Sequence, residues 1–174
     1  MPVVTVFGGS HVQEGGPEYA SARDLGKLLA QAGYTVCNGG YGGVMEASAR
    51  GAKEGGGKTI AVTTEDFKSP ANPWMDREIR MKKWSERLFK LIELGDAFVV
   101  LEGGTGTLVE LFTVWEMSAK NFFSKPLVVF GSQIRDLAEQ VQKMPQVKPG
   151  ADLFFAGSPA EAVKQLRGKL GRSC

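Results

Sequence analysis

The sequence predicts a three-layered α/β fold of the Rossmann-like, doubly wound type, in which helices cover both faces of one parallel sheet. Short apolar runs alternate with longer amphipathic segments along the chain. The strand-like runs are continuously apolar, which is typical of strands buried on both faces. Glycine clusters at 8–9, 39–43 and 103–106 follow three of these runs. Because ligands in such folds bind beyond the carboxyl ends of the strands, we expect these clusters to line one rim.

Six segments have the length and composition of buried strands. They are rich in valine, phenylalanine and other residues that are favoured in sheets. In chain order the predicted strands are Val3–Phe7, Thr35–Cys37, Thr59–Val62, Ala97–Leu101, Leu127–Phe130 and Leu153–Phe155. Residues 64–75 contain two prolines and little periodicity, so we predict a loop there.

The segments between these strands carry apolar residues at helical spacing. The predicted helices are Glu18–Ala32, Val44–Lys53, Asp76–Leu94, Gly106–Ala119, Ile134–Lys143 and a last helix that begins at Pro159. Gly33 follows the first helix as a C-terminal cap, and Ser158 precedes the last helix as an N-cap.

The length and charge of the chain narrow the classes of partner to expect and the cellular compartment. The 174 residues have the length of one domain, so we treat residues 1–174 as a single domain. The formal net charge of +2 gives no reason to expect nucleic acid or an anionic membrane as a partner. No apolar run reaches ~20 residues and no signal peptide is recognisable, which favours a cytoplasmic protein. Cys37 and Cys174 are predicted to be free thiols.

The strongest signal for a ligand is the segment Val99–Glu110, in which an apolar run ends in glycines and a helix begins. The loop Gly103–Thr107 would let the backbone approach an anion, which the first amides of the helix could bind. Glu110 lies in the first turns of that helix among apolar neighbours, which favours a partly buried, functional carboxylate. A ligand-free turn and a solvated Glu110 are the alternatives.

Other binding patterns are missing from the sequence. The loop lacks the Gly-Lys-Ser/Thr of a nucleoside triphosphate hydrolase, and no glycine cluster has the spacing of a classical dinucleotide site. His11 is the only histidine and there is no cysteine cluster, so we expect neither a metal nor a cofactor. The helix predicted over 76–94 would carry Arg80, Trp84, Arg87 and Leu91 on one face. This face either contacts a ligand or is exposed to solvent.

The glycine-rich segments resemble those of the LOG ("Lonely Guy") family, which was long mislabelled as lysine decarboxylases. Residues 103–110 are similar to its signature Pro-Gly-Gly-x-Gly-Thr-x-x-Glu, and residues 38–45 resemble its second glycine segment. Residues 6–10 resemble its first strand and Gly-Ser turn, and residues 95–98 resemble the segment before its fourth strand. The resemblance covers about residues 3–130, in order.

This resemblance implies a phosphoribohydrolase, which cleaves the N-glycosidic bond of a cytokinin-type nucleoside 5′-monophosphate to free base and ribose 5-phosphate. It implies Glu110 and Arg87 as the catalytic pair. The candidate phosphate-binding residues are Gly9, Ser10, Gly39, Gly40, Gly42, Gly43, Gly103, Gly104, Thr105, Gly106 and Thr107. LOG-like proteins are usually dimers, and the helix after the signature is apolar nearly all round, so we expect a homodimer through it.

Departures from the family pattern leave a second function open. Glu102 replaces the signature proline, which would place a negative charge beside the phosphate loop. Trp84, Ser85 and Leu88 also differ from the family's Met-His-x-Arg-Lys segment. The alternative is a non-catalytic carrier of a phosphorylated small molecule, as in molybdenum cofactor carrier proteins with a LOG-like fold. A lysine decarboxylase is disfavoured because no glycine loop holds a lysine for pyridoxal phosphate.

Overall fold

The computed structural model describes residues 1–148 and 152–171, which form a parallel sheet with helices on both faces. The strands are β1 (Val3–Phe7), β2 (Thr35–Asn38), β3 (Thr59–Thr64), β4 (Arg77–Met81), β5 (Ala97–Val100), β6 (Leu127–Phe130) and β7 (Leu153–Ala156). The helices are α1 (Pro17–Gln31), α2 (Val44–Glu54), α3 (Trp84–Leu94), α4 (Thr105–Ala119), α5 (Ser132–Gln142) and α6 (Pro159–Leu170).

The strand order β4-β3-β2-β1-β5-β6-β7 reverses its direction of winding beside β1. The chain first builds outward from β1 to β4 and then crosses to the other side of β1 to place β5. Parallel registers align Phe7 with Val100 and Thr5 with Cys37, so the strands end close to one another at this point. The carboxyl end of β1 is therefore the topological switch point, where open α/β sheets bind ligands.

Apolar side chains form one layer on each face of the sheet. One layer is contributed by α1, α2 and α6 and includes the fully buried Leu25, Leu29 and Leu166. The other layer is contributed by α3, α4 and α5 and includes Leu91 and Leu111. This arrangement confirms the predicted doubly wound, three-layered fold.

The prediction of one long helix over Asp76–Leu94 is wrong, because the first part of this segment forms β4. Its residues pair in parallel with β3, with Ile60 beside Arg77 and Thr64 beside Met81. The Asp76 carboxylate fixes the start of β4 by accepting a hydrogen bond of 2.9 Å from the Thr59 amide. At a sheet edge, charged side chains can reach solvent, so strand pairing overrides the helical preference of these residues.

The same correction removes Arg80 from the predicted helical face. Arg80 lies on β4, whereas Trp84, Arg87 and Leu91 do lie on α3. The other predicted elements are confirmed, with ends that differ by at most two residues.

Cys37 is buried and carries a free thiol, and Cys174 lies outside the described residues. Within the described ranges, no helix has both the length and the apolar character needed to cross a bilayer.

Candidate functional site

The three glycine clusters meet around one cavity of about 820 Å³ at the carboxyl ends of β1, β2 and β5. Arg87 and Glu110 also line this cavity. The predicted phosphate-binding residues on its wall are Gly9, Ser10, Gly39, Gly42, Gly103, Gly104, Thr105, Gly106 and Thr107. The fold thus brings together segments that are separated by up to a hundred residues in the chain.

Two of the predicted phosphate-binding residues, Gly40 and Gly43, are not on the cavity wall. Both have positive φ, of 79° and 66°, which favours glycine. A Cβ atom on Gly43 would clash with the Gly9 carbonyl oxygen. These two glycines therefore shape the second loop and let it approach the first, rather than facing a ligand.

Backbone hydrogen bonds lock the three loops to each other. The Gly9 amide donates to the Glu102 carbonyl at 2.9 Å, and the Val44 amide donates to the Gly9 carbonyl at 2.9 Å. A Cβ atom on Gly103 would lie 2.8 Å from the Gly9 nitrogen, so only glycine permits this approach. The glycine loops therefore present a fixed backbone surface to the cavity.

The N-terminus of α4 opens into this cavity without a cap. Its N-cap residue, Gly104, has no side chain, and no acidic residue lies in its first turn. The first amide with a partner in the helix is that of Leu108, which donates to Gly104 at 3.1 Å. Within residues 1–148 and 152–171, no group accepts a hydrogen bond from the amides of Thr105, Gly106 or Thr107. Such amides, together with the helix dipole, form a site for an anion.

The other five described helices each have a carboxylate at the N-terminus. Four of these carboxylates belong to the helix itself, and the fifth, that of Glu102, reaches α5 from outside. The residues are Glu18 on α1, Glu46 on α2, Glu86 on α3, Glu102 at α5 and Glu161 on α6. Among the described helices, α4 alone has neither an acidic residue in its first turn nor a carboxylate that reaches its N-terminus from elsewhere.

The Glu102 side chain turns away from the α4 amides. Its Oε1 accepts a hydrogen bond of 2.7 Å from the Gln133 amide, and its Oε2 accepts one of 3.2 Å from the Ile134 amide. Glu102 lines the cavity next to the phosphate loop, as its position in the sequence predicts. Its carboxylate caps α5, a helix thirty residues further along the chain, which no local pattern could indicate.

Arg87 is buried on α3, with only 6% of its surface exposed. Its Nε donates a hydrogen bond of 2.8 Å to the Val62 carbonyl, which fixes the guanidinium at the end of β3. The guanidinium carbon lies 5.4 Å from the centre of the Tyr41 ring. A Cβ atom on Gly39 would clash with a guanidinium nitrogen of Arg87, so Gly39 makes room for this side chain. Burial lowers the pKa of Arg87.

Glu110 lies on α4 with 13% of its side chain exposed, and its Oε1 is 3.9 Å from Arg87 Nη1. This distance permits attraction between the charges but exceeds that of a hydrogen bond. Burial raises the pKa of Glu110 to about 7, although the charge of Arg87 opposes the shift. A carboxyl group with such a pKa can exchange protons near neutral pH.

Sequence reasoning missed part of the aromatic side of the cavity. Tyr41 and Phe67 line it together with Trp84, of which only Trp84 was a candidate ligand contact. Phe67 belongs to the loop between β3 and β4, whose irregular sequence gives no periodic signal. The side-chain amide of Asn72 anchors this loop because its Nδ2 donates hydrogen bonds to the carbonyls of Gly40 (3.1 Å) and Tyr41 (2.9 Å).

Metal-ligating side chains do not converge in the part of the chain that the structure describes, where no group of three His, Cys, Asp or Glu residues is placed to hold an ion. His11 lies on the cavity wall and is exposed.

Comparison with known proteins identifies the family. The model of the SLOG cluster4 family matches residues 1–163. The chain belongs to this family. This match confirms the relationship to LOG proteins that the glycine-rich segments predict.

Sequence relatives of this SLOG cluster4 protein carry the names of nucleotide hydrolases. It is 34% identical to a cytokinin riboside 5′-monophosphate phosphoribohydrolase of Mycobacterium tuberculosis over 62% of this chain and 59% of the relative. It is 31% identical to the protein of that name from Rhodococcoides fascians, over 72% of this chain and 66% of the relative. It is 29% identical to a pyrimidine/purine nucleotide 5′-monophosphate nucleosidase of Escherichia coli K12, over 63% of this chain and 26% of the relative. The chain thus matches less than two thirds of the length of each of these three relatives.

Solved structures share the fold of the SLOG cluster4 protein along nearly its whole length. A molybdenum cofactor binding protein from Rippkaea orientalis superposes with a TM-score of 0.79 at 22% identity, covering 97% of both chains. The molybdenum cofactor carrier protein of Chlamydomonas reinhardtii superposes with a TM-score of 0.75 at 23% identity, covering 99% of this chain and 100% of the other. These likenesses support the α/β Rossmann-like assignment.

Proposed function

We propose that this protein hydrolyses the N-glycosidic bond of a nucleoside 5′-monophosphate, releasing the free base and ribose 5-phosphate. The observation that carries the proposal is the position of Glu110, a buried carboxyl group with a pKa of about 7, four residues along α4 from the uncapped amides at Gly106. Four helical residues advance about 6 Å along the helix axis. An anion site and a titratable carboxyl group thus lie about one sugar unit apart on one cavity wall.

The phosphate occupies the N-terminus of α4 in this proposal. The amides of Thr105, Gly106 and Thr107 are directed at it, and the loop glycines keep side chains out of the way. A single phosphate satisfies these donors, which no acidic side chain of the described residues occupies. Binding energy from the phosphate can then be used to place the sugar at the reacting centre.

Glu110 and Arg87 act at the anomeric carbon. Cleavage of the glycosidic bond gives the ribose oxocarbenium character, which a carboxylate stabilises electrostatically. Glu110 also holds the attacking water and accepts its proton as the C–O bond forms and the C–N bond to the base breaks. The bonding electrons leave with the base, and the Arg87 guanidinium, held at Val62, stabilises the negative charge that develops there.

Product analysis tests the proposal. Purified protein is incubated with AMP and with isopentenyladenosine monophosphate, and free base is measured by chromatography. We expect release of base from at least one of them, and loss of release in Glu110→Gln. The matched control is Glu116→Gln, which changes an exposed glutamate on the same helix whose side chain pairs with Lys120. No release from either nucleotide, or equal release by Glu110→Gln, would refute the proposal.

A carrier function is the second candidate, supported by the shared fold with molybdenum cofactor binding and carrier proteins. A cavity of about 820 Å³ has room for a larger phosphorylated ligand than a mononucleotide. Native mass spectrometry of freshly purified protein distinguishes the two functions. A retained, intact phosphorylated pterin favours the carrier, whereas an unliganded chain that turns over AMP favours the hydrolase.

A further inference from the structure

Asn38, the last residue of β2, is completely buried although its side chain is polar. Its Oδ1 accepts a hydrogen bond of 2.8 Å from the Gly40 amide. Its Nδ2 donates to the Met45 carbonyl at 2.8 Å and to the Ser48 hydroxyl at 3.1 Å. One side chain thereby ties the beginning of the second glycine loop, residues 39–43, to the first turn of α2, where that loop ends.

The partners of Asn38 require a side-chain amide at this position. They call for one acceptor, toward the Gly40 amide, and two donors, toward the Met45 carbonyl and the Ser48 hydroxyl, and asparagine carries all three. The Ser48 hydroxyl in turn donates to the Met45 carbonyl at 3.1 Å. An apolar residue would leave buried polar groups without partners, which is unfavourable. A buried network that is fully paired in this way gives the loop one fixed conformation.

The segment that Asn38 holds is also the segment against which the Arg87 guanidinium lies. One terminal nitrogen of Arg87, Nη2, is 4.0 Å from the Met45 sulfur. The same nitrogen is so close to Gly39 that a Cβ atom there would clash with it. Nε donates to the Val62 carbonyl at 2.8 Å. Two of the three guanidinium nitrogens are therefore held in place, one by β3 and one by the second glycine loop and the first turn of α2.

These contacts keep Arg87 apart from Glu110. The remaining nitrogen, Nη1, is 3.9 Å from Glu110 Oε1, although a buried guanidinium and a carboxylate attract each other toward a shorter, hydrogen-bonded contact. We propose that Asn38 is a positioning residue, which holds the second glycine loop against Arg87 and so keeps the guanidinium outside hydrogen-bonding distance of Glu110. The inference rests on the proposed function for its catalytic meaning, because a carboxylate paired with Arg87 would be a weaker base toward the attacking water.

Few charges act on this pair, so the titration of Glu110 reports the position of Arg87. The titratable groups that act on Arg87 are Glu110, Tyr41 and Cys37, and Cys37 is a neutral thiol because burial raises its pKa to about 12. Among the described residues, Arg87 is the group whose charge acts on Glu110. A movement of Arg87 toward Glu110 therefore lowers the pKa of Glu110, whereas the loss of a buried hydrogen bond elsewhere leaves it in place.

Carbon-13 NMR of the Glu110 carboxyl group tests the proposal without any turnover. In Asn38→Leu the loop loses both of its anchors, and we expect the acid dissociation constant of Glu110 to rise about tenfold. Asn38→Ser can still accept a hydrogen bond from the Gly40 amide but is too short to reach Met45, so we expect a rise of about threefold. If Asn38→Leu does not fold, the result for Asn38→Ser decides alone.

Two control variants separate positioning from a loss of stability. Ser48→Ala removes one partner of Asn38 but leaves its bonds to Gly40 and Met45, so the titration of Glu110 should not change. Thr59→Val removes a buried hydroxyl at the start of β3, away from the cavity, and should lower only the melting temperature. An unchanged or smaller dissociation constant in the folded Asn38 variants, or an equal rise in Thr59→Val, would overturn the proposal. Failure of the hydrolase proposal is seen separately, as absence of base release by the wild-type protein.

Discussion

The Arg87 guanidinium faces the Glu110 carboxylate at 3.9 Å without a hydrogen bond between them. Arg87 instead donates from Nε to the Val62 carbonyl at 2.8 Å. The charges attract each other, but the pair lacks the short contacts that would hold Glu110 ionised. Burial therefore dominates, and the pKa of Glu110 stays near 7. The geometry leaves a carboxyl group able to change protonation state beside a permanent cation.

We predict that Glu110 makes the protein less stable as pH rises. Its pKa is raised from 4.5 to about 7 on folding, so the neutral form contributes stability that is fully present below pH 4.5 and is lost as pH rises through 7. Glu110→Gln, which mimics the neutral form, should match the wild type near pH 4. At pH 8 it should exceed the wild type by up to about 3 kcal/mol in free energy of unfolding. Urea denaturation across this range measures the difference, and a pH-independent difference would contradict the prediction.

The charge of Arg87 lowers the pKa of Glu110, so removing that charge should raise the pKa of Glu110 further. In Arg87→Gln we expect the titration midpoint of Glu110 to move above about 7, as measured by carbon-13 NMR of the carboxyl group. Lys120→Gln, an exposed change on the end of α4, is the control and should leave the midpoint in place. An unchanged or lower midpoint in Arg87→Gln would show that the two groups do not interact.

A carboxylate placed at the α4 N-terminus should compete with phosphate. Thr105 is the first residue of α4, and Thr105→Asp would give this helix the acidic end that the others possess. We expect the helix dipole to stabilise the fold by about 0.5 kcal/mol. The affinity for ribose 5-phosphate should fall at least about tenfold, since like charges would share one site. Thr105→Asn, which has the same size without the charge, should bind nearly as the wild type does.

Calorimetry and thermal melting report these two effects separately. Weaker binding together with a lower melting temperature would indicate local unfolding, and unchanged binding by Thr105→Asp would place the phosphate elsewhere.

Loss of the Glu102 carboxylate should destabilise α5 without weakening phosphate binding. The side chain accepts hydrogen bonds from the Gln133 and Ile134 amides, which would lose their partner in Glu102→Ala. We expect a loss of about 1 kcal/mol in free energy of unfolding, as for other helix caps. Chemical denaturation measures the loss, with Glu116→Ala as the surface control. Tighter binding of ribose 5-phosphate by Glu102→Ala would instead mean that this charge opposes the phosphate.

The predicted homodimer would bury the exposed apolar residues of α4. Val109 lies on this helix with 40% of its surface exposed, and Phe122, just beyond its end, is 72% exposed. We expect light scattering at micromolar concentration to give twice the mass of one chain. Val109→Glu should shift the protein toward the monomer, because a charge at the centre of an apolar interface is costly to bury. A monomeric wild-type protein would refute the prediction.

The sequence alone was sufficient for the architecture and for most of the cavity wall. Continuous apolar runs such as Val3–Phe7 predict strands buried on both faces, and the glycines after them mark the strand ends that meet at the rim. Their meeting can be predicted from local sequence alone, because the carboxyl ends of parallel strands lie at the same edge of the sheet. The order of residues around Glu110 likewise predicts a carboxyl group behind an anion-binding loop.

Tertiary structure decided the features that depend on partners distant in the chain. Residues 77–81 form β4 because β3 offers an edge to pair with, which their charged sequence does not reveal. The Glu102 carboxylate caps α5, and Phe67 joins Trp84 on the cavity wall, because loop packing fixes where each side chain points. The pKa of Glu110 follows from burial, which the folded chain alone creates. Periodicity and motif spacing report local preference, whereas protonation and side-chain direction depend on what surrounds a residue in space.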